Sequence, residues 1–131
     1  MTTDLDKTDE NKATVRRFLD EVLTPGDYER LAEFVSAESF VQHNADIADG
    51  IDGFQSYVNA LAADGQPLRW VEVHNVIGSG DMVVALSEVA KGETRLAVID
   101  LFRVADRKIV EHWDVIEEII PEDEWVNSGK F

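Results

Sequence analysis

Three side chains that can exchange protons stand near the C-terminal end of the sequence: Asp100, His112 and Asp114. Most of their immediate neighbours are apolar, and carboxylates or an imidazole are costly in apolar surroundings unless they pair. Burial and mutual pairing push the pKa values of such groups apart, which is typical of acid–base sites. The trio therefore indicates general acid–base catalysis, and the alternative is a polar cluster that only fixes strand register.

A β-hairpin is predicted to position this trio. Segments 94–104 and 108–118 are rich in β-formers, and the turn signal 105–107 lies between them. A three-residue loop with Arg107 in the left-handed region would set Phe102 opposite Val110, Asp100 opposite His112 and Val98 opposite Asp114. Period-two alternation places these six residues on one face. The other face then receives Ile99, Leu101, Arg103, Ile109, Glu111, Trp113 and Val115.

Both faces of this hairpin carry large apolar side chains. One face must be the core, and the other exposes too much apolar surface to remain in water. We therefore expect a homodimer that packs sheet to sheet through Ile99, Leu101, Trp113 and Val115. The alternative is a monomer whose C-terminal segment, 121–131, folds over that face.

The preceding residues predict helices and two further strands. Helical spacing of apolar residues indicates helices over about 9–23, from Asp27 onward, and from Asp52 to about 64–65, with a short extended segment at 40–44. Strands are predicted at 69–77 and 82–90 before the hairpin. This order gives an α+β fold: three N-terminal helices on one face of a cone-shaped, curved antiparallel or mixed sheet that encloses a pocket. Residues 1–8 read as a disordered lead-in to one domain, 9–131.

The amino-acid composition limits the possible binding partners and the chemistry of the protein. With 27 acidic and 12 basic residues, the formal charge of −15 argues against binding nucleic acid or an anionic membrane. Cysteine is absent, which excludes disulfides and thiol chemistry, and no apolar run approaches the ~20 residues of a membrane span. The polar N-terminus does not resemble a signal peptide, so we expect a cytoplasmic protein. The acidic, lysine-poor surface fits either an ordinary acidic protein or a halophilic one.

Several motifs resemble the SnoaL-like polyketide cyclase family of the nuclear-transport-factor-2-like superfamily, especially its branch of predicted aldol-condensation-catalysing proteins. The resemblance rests on 41–44, Gly50, Phe54, 98–103 and 108–115. It implies a cone-shaped α+β fold that commonly dimerises through the sheet. It also implies that Asp114 moves the proton that drives an aldol closure, and that His43 points into the cavity from the first strand.

The sequence departs from relatives at two positions. Leu86 stands where relatives often have a histidine that helps to polarise the substrate carbonyl, and Glu117 stands where they often have glutamine. The related limonene-epoxide hydrolases need an arginine between two aspartates in the pocket. Arg103 falls on the opposite face in the expected register, which disfavours that chemistry.

These observations lead to a hypothesis of cofactor-free proton transfer on a small apolar carbonyl compound, by an aldol-type cyclase or an isomerase. Asp114 would be the base, near Asp100, while His112 with His43 or Asn44 would stabilise the enolate oxygen. Substrate contacts are expected from His43, Asn44, Tyr57, Trp70 and Phe102. The alternative is a noncatalytic module that binds a small hydrophobic ligand or mediates dimerisation.

No metal or cofactor is expected. The three histidines, His43, His74 and His112, show no spacing typical of metal ligands. His74 is expected at an exposed or edge position of its strand.

Overall fold

The computed structural model describes residues 7–131. Most of the predicted lead-in, 1–8, lies outside the described residues. Helix α1 begins at Thr8, whose hydroxyl accepts a 2.9 Å hydrogen bond from the Gly80 backbone N–H. Within the described part of the chain, no helix is both long and apolar enough to cross a membrane.

Helices occupy the N-terminal half and strands the C-terminal half. Helix α1 spans Thr8–Phe18 and continues as a π-helical turn at Leu19–Leu23. The second predicted helix is only a 3₁₀ helix, Tyr28–Glu33. Helix α2 spans Gly50–Ala63 and starts two residues before the predicted Asp52, and a last 3₁₀ turn lies at Glu122–Glu124.

Five strands form one mixed sheet. Their bounds are β1 Val41–Gln42, β2 Leu68–Ser79, β3 Met82–Lys91, β4 Thr94–Ala105 and β5 Lys108–Glu118. The order is β1-β5-β4-β3-β2, with β1 parallel to β5 and the other neighbours antiparallel. The predicted α+β class, with helices against a mixed sheet, is confirmed.

The helices cover one face of the sheet and fill one end of the space above it. Phe18 packs edge-on against Phe102 of β4 with ring centroids 6.0 Å apart, and it also contacts Phe34. The apolar side of α1 and its π-helical turn is fully buried there, because Val15 and Leu19 lie over Val83 and Ala85 of β3 in the same core. Burial of such side chains supplies most of the stability of a fold of this size.

The last hairpin differs from the predicted register. Its turn has two central residues, Asp106 and Arg107, both in the left-handed region at φ 49° and 64°. That geometry is a type I′ turn, which matches the twist of adjoining strands. The left-handed Arg107 is as expected, but the pairing is not: Asp100 faces Asp114, Phe102 faces His112, and Val98 faces Ile116.

A β-bulge keeps the trio on the inner face despite the shorter turn. Arg103 pairs with Glu111 and Val104 with Ile109, so Val110 is the extra residue on β5. The bulge reverses the two positions nearest the turn: Ile109 is fully buried in the core rather than on the outer face, and Val110 is half-buried. Asp100, His112 and Asp114 still point the same way, as predicted.

Candidate functional site

The inner face of β4 and β5 carries a hydrogen-bonded chain of polar groups. His112 Nε2 lies 2.7 Å from Asp100 Oδ1, and both side chains are almost wholly buried. The other ring nitrogen, Nδ1, lies 2.7 Å from Oε1 of Gln42 on the neighbouring strand β1. Both nitrogens of His112 are therefore engaged within the protein.

Asp114 belongs to the same cluster but is held by a different partner. The Asn44 amide nitrogen lies 3.1 Å from Asp114 Oδ1 and 2.9 Å from Oδ2. Asn44 Oδ1 accepts the backbone N–H of Asp46 at 2.9 Å, which fixes the amide with its nitrogen toward the carboxylate. Asp114 is thus oriented from the loop that follows β1.

Burial dominates the proton affinity of Asp114. Its pKa is raised above the ordinary value of 3.8 chiefly by burial, while the hydrogen bond from Asn44 and the nearby His112 lower it. A carboxylate whose pKa is raised by apolar surroundings, and which a hydrogen-bond donor orients, is a suitable general base. Its pKa is closer to neutral pH, so it accepts a proton more readily than an ordinary aspartate.

These groups border a cavity of about 370 Å³ between the sheet and the helices. Its walls are mainly aromatic and aliphatic: Phe18, Phe40, Ile51, Phe54, Leu68, Trp70, Val98 and Phe102. Gln42, Asn44, Asp46, Tyr57, Asp100, His112 and Asp114 contribute polar atoms. The Trp70 indole N–H is buried without a hydrogen-bond partner in the described chain, so it can donate to a ligand.

The structure brings most of the predicted site residues together. Asp100, His112 and Asp114 line the cavity, as do the expected contact residues Asn44, Tyr57, Trp70 and Phe102. Leu86 pairs with Ile99 and alternates with the fully buried Ala85 and Ser87, so it lies on the outer face. The leucine there therefore removes no group from the cavity.

His43 does not point into the cavity, which corrects the prediction for this residue. Its ring stacks on Trp113, with centroids 4.6 Å apart and planes 4° from parallel, and Nε2 lies 2.6 Å from Glu111 Oε2. Arg103 also bonds Glu111, and the two partners lower the pKa of that carboxyl group. All four residues stand on the outer face: Arg103, Glu111 and Trp113 alternate with the inward Phe102 and His112, and His43 follows the inward Gln42.

Gln42 is the cavity residue that the sequence analysis missed. It is the last residue of β1, and period-two alternation through the next two residues puts Gln42 and Asn44 on one side and His43 on the other. The signal was present, because choosing Asn44 as a pocket residue already implied Gln42 rather than His43.

The trio also has the composition of a cation-binding set. One ligand atom from each of Asp100, His112 and Asp114 lies within 4.8 Å of the others, and carboxylate with imidazole suits several divalent ions. In this structure, however, the Nε2 atom that would bind an ion is hydrogen-bonded to the Asp100 carboxylate. Asp100 and His112 bond each other, and Asp114 is bonded by Asn44.

Helices packed on a curved mixed sheet around a cavity define an α+β protein with the nuclear-transport-factor-2-like fold. The SnoaL-like domain model matches residues 15–112, which is most of the chain, and the chain belongs to that family. The resemblance drawn from the sequence motifs is thereby confirmed. A search of the curated proteins found no match.

Solved structures with the same fold carry several different descriptions. A candidate ketosteroid isomerase from Kribbella flavida has a TM-score of 0.72 at 16% identity, covering 93% of this chain and 90% of its own. A candidate SnoaL-like polyketide cyclase from Jannaschia has 0.66 at 24%, covering 84% and 87%. An epoxide hydrolase of the limonene-epoxide-hydrolase type from Mycobacterium tuberculosis has 0.61 at 19%, covering 85% and 85%. At these identities the likeness establishes the fold and no particular reaction.

Proposed function

We propose that this protein catalyses cofactor-free proton transfer next to the carbonyl group of a small apolar compound, as an aldol-type cyclase or an isomerase, with Asp114 as the base. The observation that carries the proposal is the placement of Asp114. Its carboxylate borders an apolar cavity, has its pKa raised by burial, and is oriented by Asn44. These properties are those of a general base that removes a proton from carbon.

Proton removal leaves negative charge on the carbonyl oxygen, which needs a donor. His112 with His43 or Asn44 was the expected donor, but both ring nitrogens of His112 are hydrogen-bonded and His43 is on the other face. Tyr57 lines the cavity, and burial together with Asp46 and Asp114 raises the pKa of its hydroxyl. Tyr57 therefore stays protonated at neutral pH, and its O–H is the donor for the developing oxyanion.

The wall chemistry limits the substrate. Phe102, Trp70 and their aliphatic neighbours favour a flat, largely apolar molecule that fits in about 370 Å³. Epoxide hydrolysis is disfavoured because Arg103, the one arginine of the hairpin strands near the trio, bonds Glu111 on the outer face. His112, and not an arginine, is the basic side chain that accompanies Asp100 and Asp114 in this cluster.

Deuterium exchange tests the proposal without knowledge of the natural substrate. The probe is 2-tetralone, a bicyclic ketone, and NMR in deuterated buffer follows loss of its α-protons. The wild type should accelerate exchange, and Asp114→Asn should reduce the acceleration by at least about 10²-fold, the usual contribution of a general base. Asp123→Asn, the same change at an exposed site in the tail, is the matched control. Equal exchange by wild type and Asp114→Asn would reject Asp114 as the base.

A noncatalytic binding module is the second candidate. It is favoured by the enclosed apolar cavity and by the internal hydrogen bonds that occupy His112 and Asn44. In that case 2-tetralone would bind to wild type and Asp114→Asn alike, and neither protein would accelerate exchange.

We further propose a homodimer formed through the outer face of the sheet. Val115 is 70% exposed and Ile99 44% exposed there, beside the partly covered Leu101 and Trp113. The C-terminal segment reaches across the sheet, since Phe131 stacks on His74 of β2 with centroids 4.0 Å apart. Val115 remains exposed with that segment in place, which supports a second copy as the cover.

A further inference from the structure

The side-chain oxygen of Gln42 makes two hydrogen bonds at the site. In the parallel ladder it is the partner of His112, and its Oε1 lies 2.7 Å from His112 Nδ1. The same oxygen accepts the backbone N–H of Asn44 at 3.2 Å. The amide nitrogen of Gln42 is buried with no partner in the described chain. Both of these hydrogen bonds of the Gln42 side chain are therefore made by its oxygen.

The contact with Asn44 decides which way the Gln42 amide points. A backbone N–H can only donate, so the atom facing it must be the amide oxygen. Since that oxygen also faces His112 Nδ1, the ring nitrogen must be the donor in this contact. His112 thus carries a proton on Nδ1, and the hydrogen-bond network assigns the ring tautomer.

The second nitrogen of His112 faces a buried acid. Asp100 is 3% exposed, Nε2 lies 2.7 Å from its Oδ1, and Oδ2 has no partner within residues 7–131. With Nδ1 fixed as a donor, any further proton of the pair lies between Nε2 and Oδ1. Neither nitrogen of the ring can accept a proton from a ligand in the cavity.

We propose that Gln42 is a positioning residue that holds His112 in its Nδ1–H form and directs Nε2 onto Asp100. The His112–Asp100 pair then stays hydrogen-bonded beside Asp114 and does not exchange protons with a ligand. Asp114 alone exchanges a proton with a ligand. This inference rests on the proposed function for its catalytic meaning. Its structural content, the tautomer of one ring, stands independently.

Nitrogen-15 NMR of the His112 ring tests the inference in the full-length protein. In the wild type, the His112 ring should carry a proton on Nδ1 at neutral pH. Gln42→Glu keeps an oxygen opposite Nδ1 and should preserve that signal. Gln42→Leu is nearly the same size but has no acceptor, and its neutral ring should lose the fixed tautomer. An unprotonated Nδ1 in the wild type, or an unchanged ring in Gln42→Leu, would overturn the inference.

Exchange of 2-tetralone supplies the functional readout. Gln42→Leu should slow the maximal exchange rate by up to about tenfold, the effect of losing one hydrogen bond, with little change in the half-saturating concentration. An unchanged maximal rate with a loosened ring would overturn the positioning role. Asp114→Asn should leave the His112 tautomer intact. If the wild type shows the fixed tautomer but no exchange, the proposed function fails and the role of Gln42 in holding the ring stands.

Discussion

The Asn44 amide nitrogen lies within 3.1 Å of both carboxylate oxygens of Asp114, although the two residues are 70 positions apart in the chain. This contact opposes burial: the cavity raises the pKa of Asp114, and the donated hydrogen bond lowers it. The loop after β1 therefore sets the strength of the proposed base. The contact also limits the rotation of the carboxylate, which favours one line of attack on a ligand.

Removal of this donor should make Asp114 harder to ionise. In Asn44→Leu the side chain keeps its approximate size but cannot donate, so the pKa of Asp114 should rise further. The low-pH limb of the exchange rate for 2-tetralone should move to higher pH. On that limb we expect about a tenfold lower rate, equivalent to one pKa unit.

The matched control is Asn59→Leu on the exposed side of α2, where the Asn59 side chain accepts a hydrogen bond from Gln55. Its pH profile should overlay that of the wild type. An Asn44→Leu profile that also overlays the wild type would show that Asn44 does not tune Asp114.

Asp114 should cost stability at neutral pH. Its pKa in the folded state lies above the value of 3.8 expected when unfolded, so the folded state binds more protons between these two values. Stability is accordingly lost as pH rises through that window, and the penalty persists above it. Asp114→Asn removes the penalty and should have a higher free energy of unfolding than wild type at pH 7.

Urea titrations at pH 7 and near pH 3 check this sign. The advantage of Asp114→Asn should shrink at the lower pH, where the wild-type carboxyl group is protonated in both states. A variant that is less stable than wild type at pH 7 would contradict a burial-dominated site.

The proposed dimer depends on the apolar outer face. Val115→Glu places a charge at a residue that is 70% exposed within one chain, so it should not disturb the monomer fold. In the dimer that charge would be desolvated, so the substitution should raise the dissociation constant of the dimer at least about tenfold. Analytical ultracentrifugation measures the change.

Val126→Glu is the control, because Val126 is 98% exposed in the C-terminal segment and is apolar in the same way. It should leave the sedimentation mass unchanged. A wild type that sediments as a monomer, or a Val115→Glu variant that remains dimeric, would reject the outer face as the interface.

The turn of the last hairpin stores removable strain. Arg107 has φ 64°, a conformation that costs a residue with a side chain about 1 kcal/mol relative to glycine. Its contact with Glu10 is an exposed ion pair and contributes little. Arg107→Gly should therefore raise the free energy of unfolding by about 0.5–1 kcal/mol in urea titration. An unchanged or lower free energy of unfolding would contradict the predicted strain at Arg107.

In the last hairpin, the sequence predicted the shared face of the trio but not the turn or the register. Alternation placed Asp100, His112 and Asp114 on one face, because a period of two survives any even change in register. The turn type and the bulge at Val110 were not predictable from the sequence. The turn is one residue shorter than expected, and the bulge adds one residue to β5, so the two changes compensate each other. The choice is made by packing: the bulge buries Ile109, which an unbulged strand would expose.

The first strand shows a different limit. In the motif 41–44, Gln42 and Asn44 point to one side and His43 to the other, and the family resemblance favoured His43 over Gln42. Alternation ties Gln42 to Asn44, but in a strand of only two residues, Val41–Gln42, the pairing with β5 decides that this side, and not that of His43, faces the cavity. The second helix was likewise too short to resolve from sequence, and it forms a 3₁₀ helix.

The most direct test of the central claim joins two titrations on one sample. Carbon-13 NMR follows the Asp114 carboxyl group with pH, and deuterium exchange of 2-tetralone is measured over the same range. If Asp114 is the base, its carboxyl group should titrate above 3.8 and the exchange rate should rise with the same midpoint. A carboxyl group that titrates at or below 3.8, or a rate whose midpoint does not follow it, would contradict Asp114 as the base.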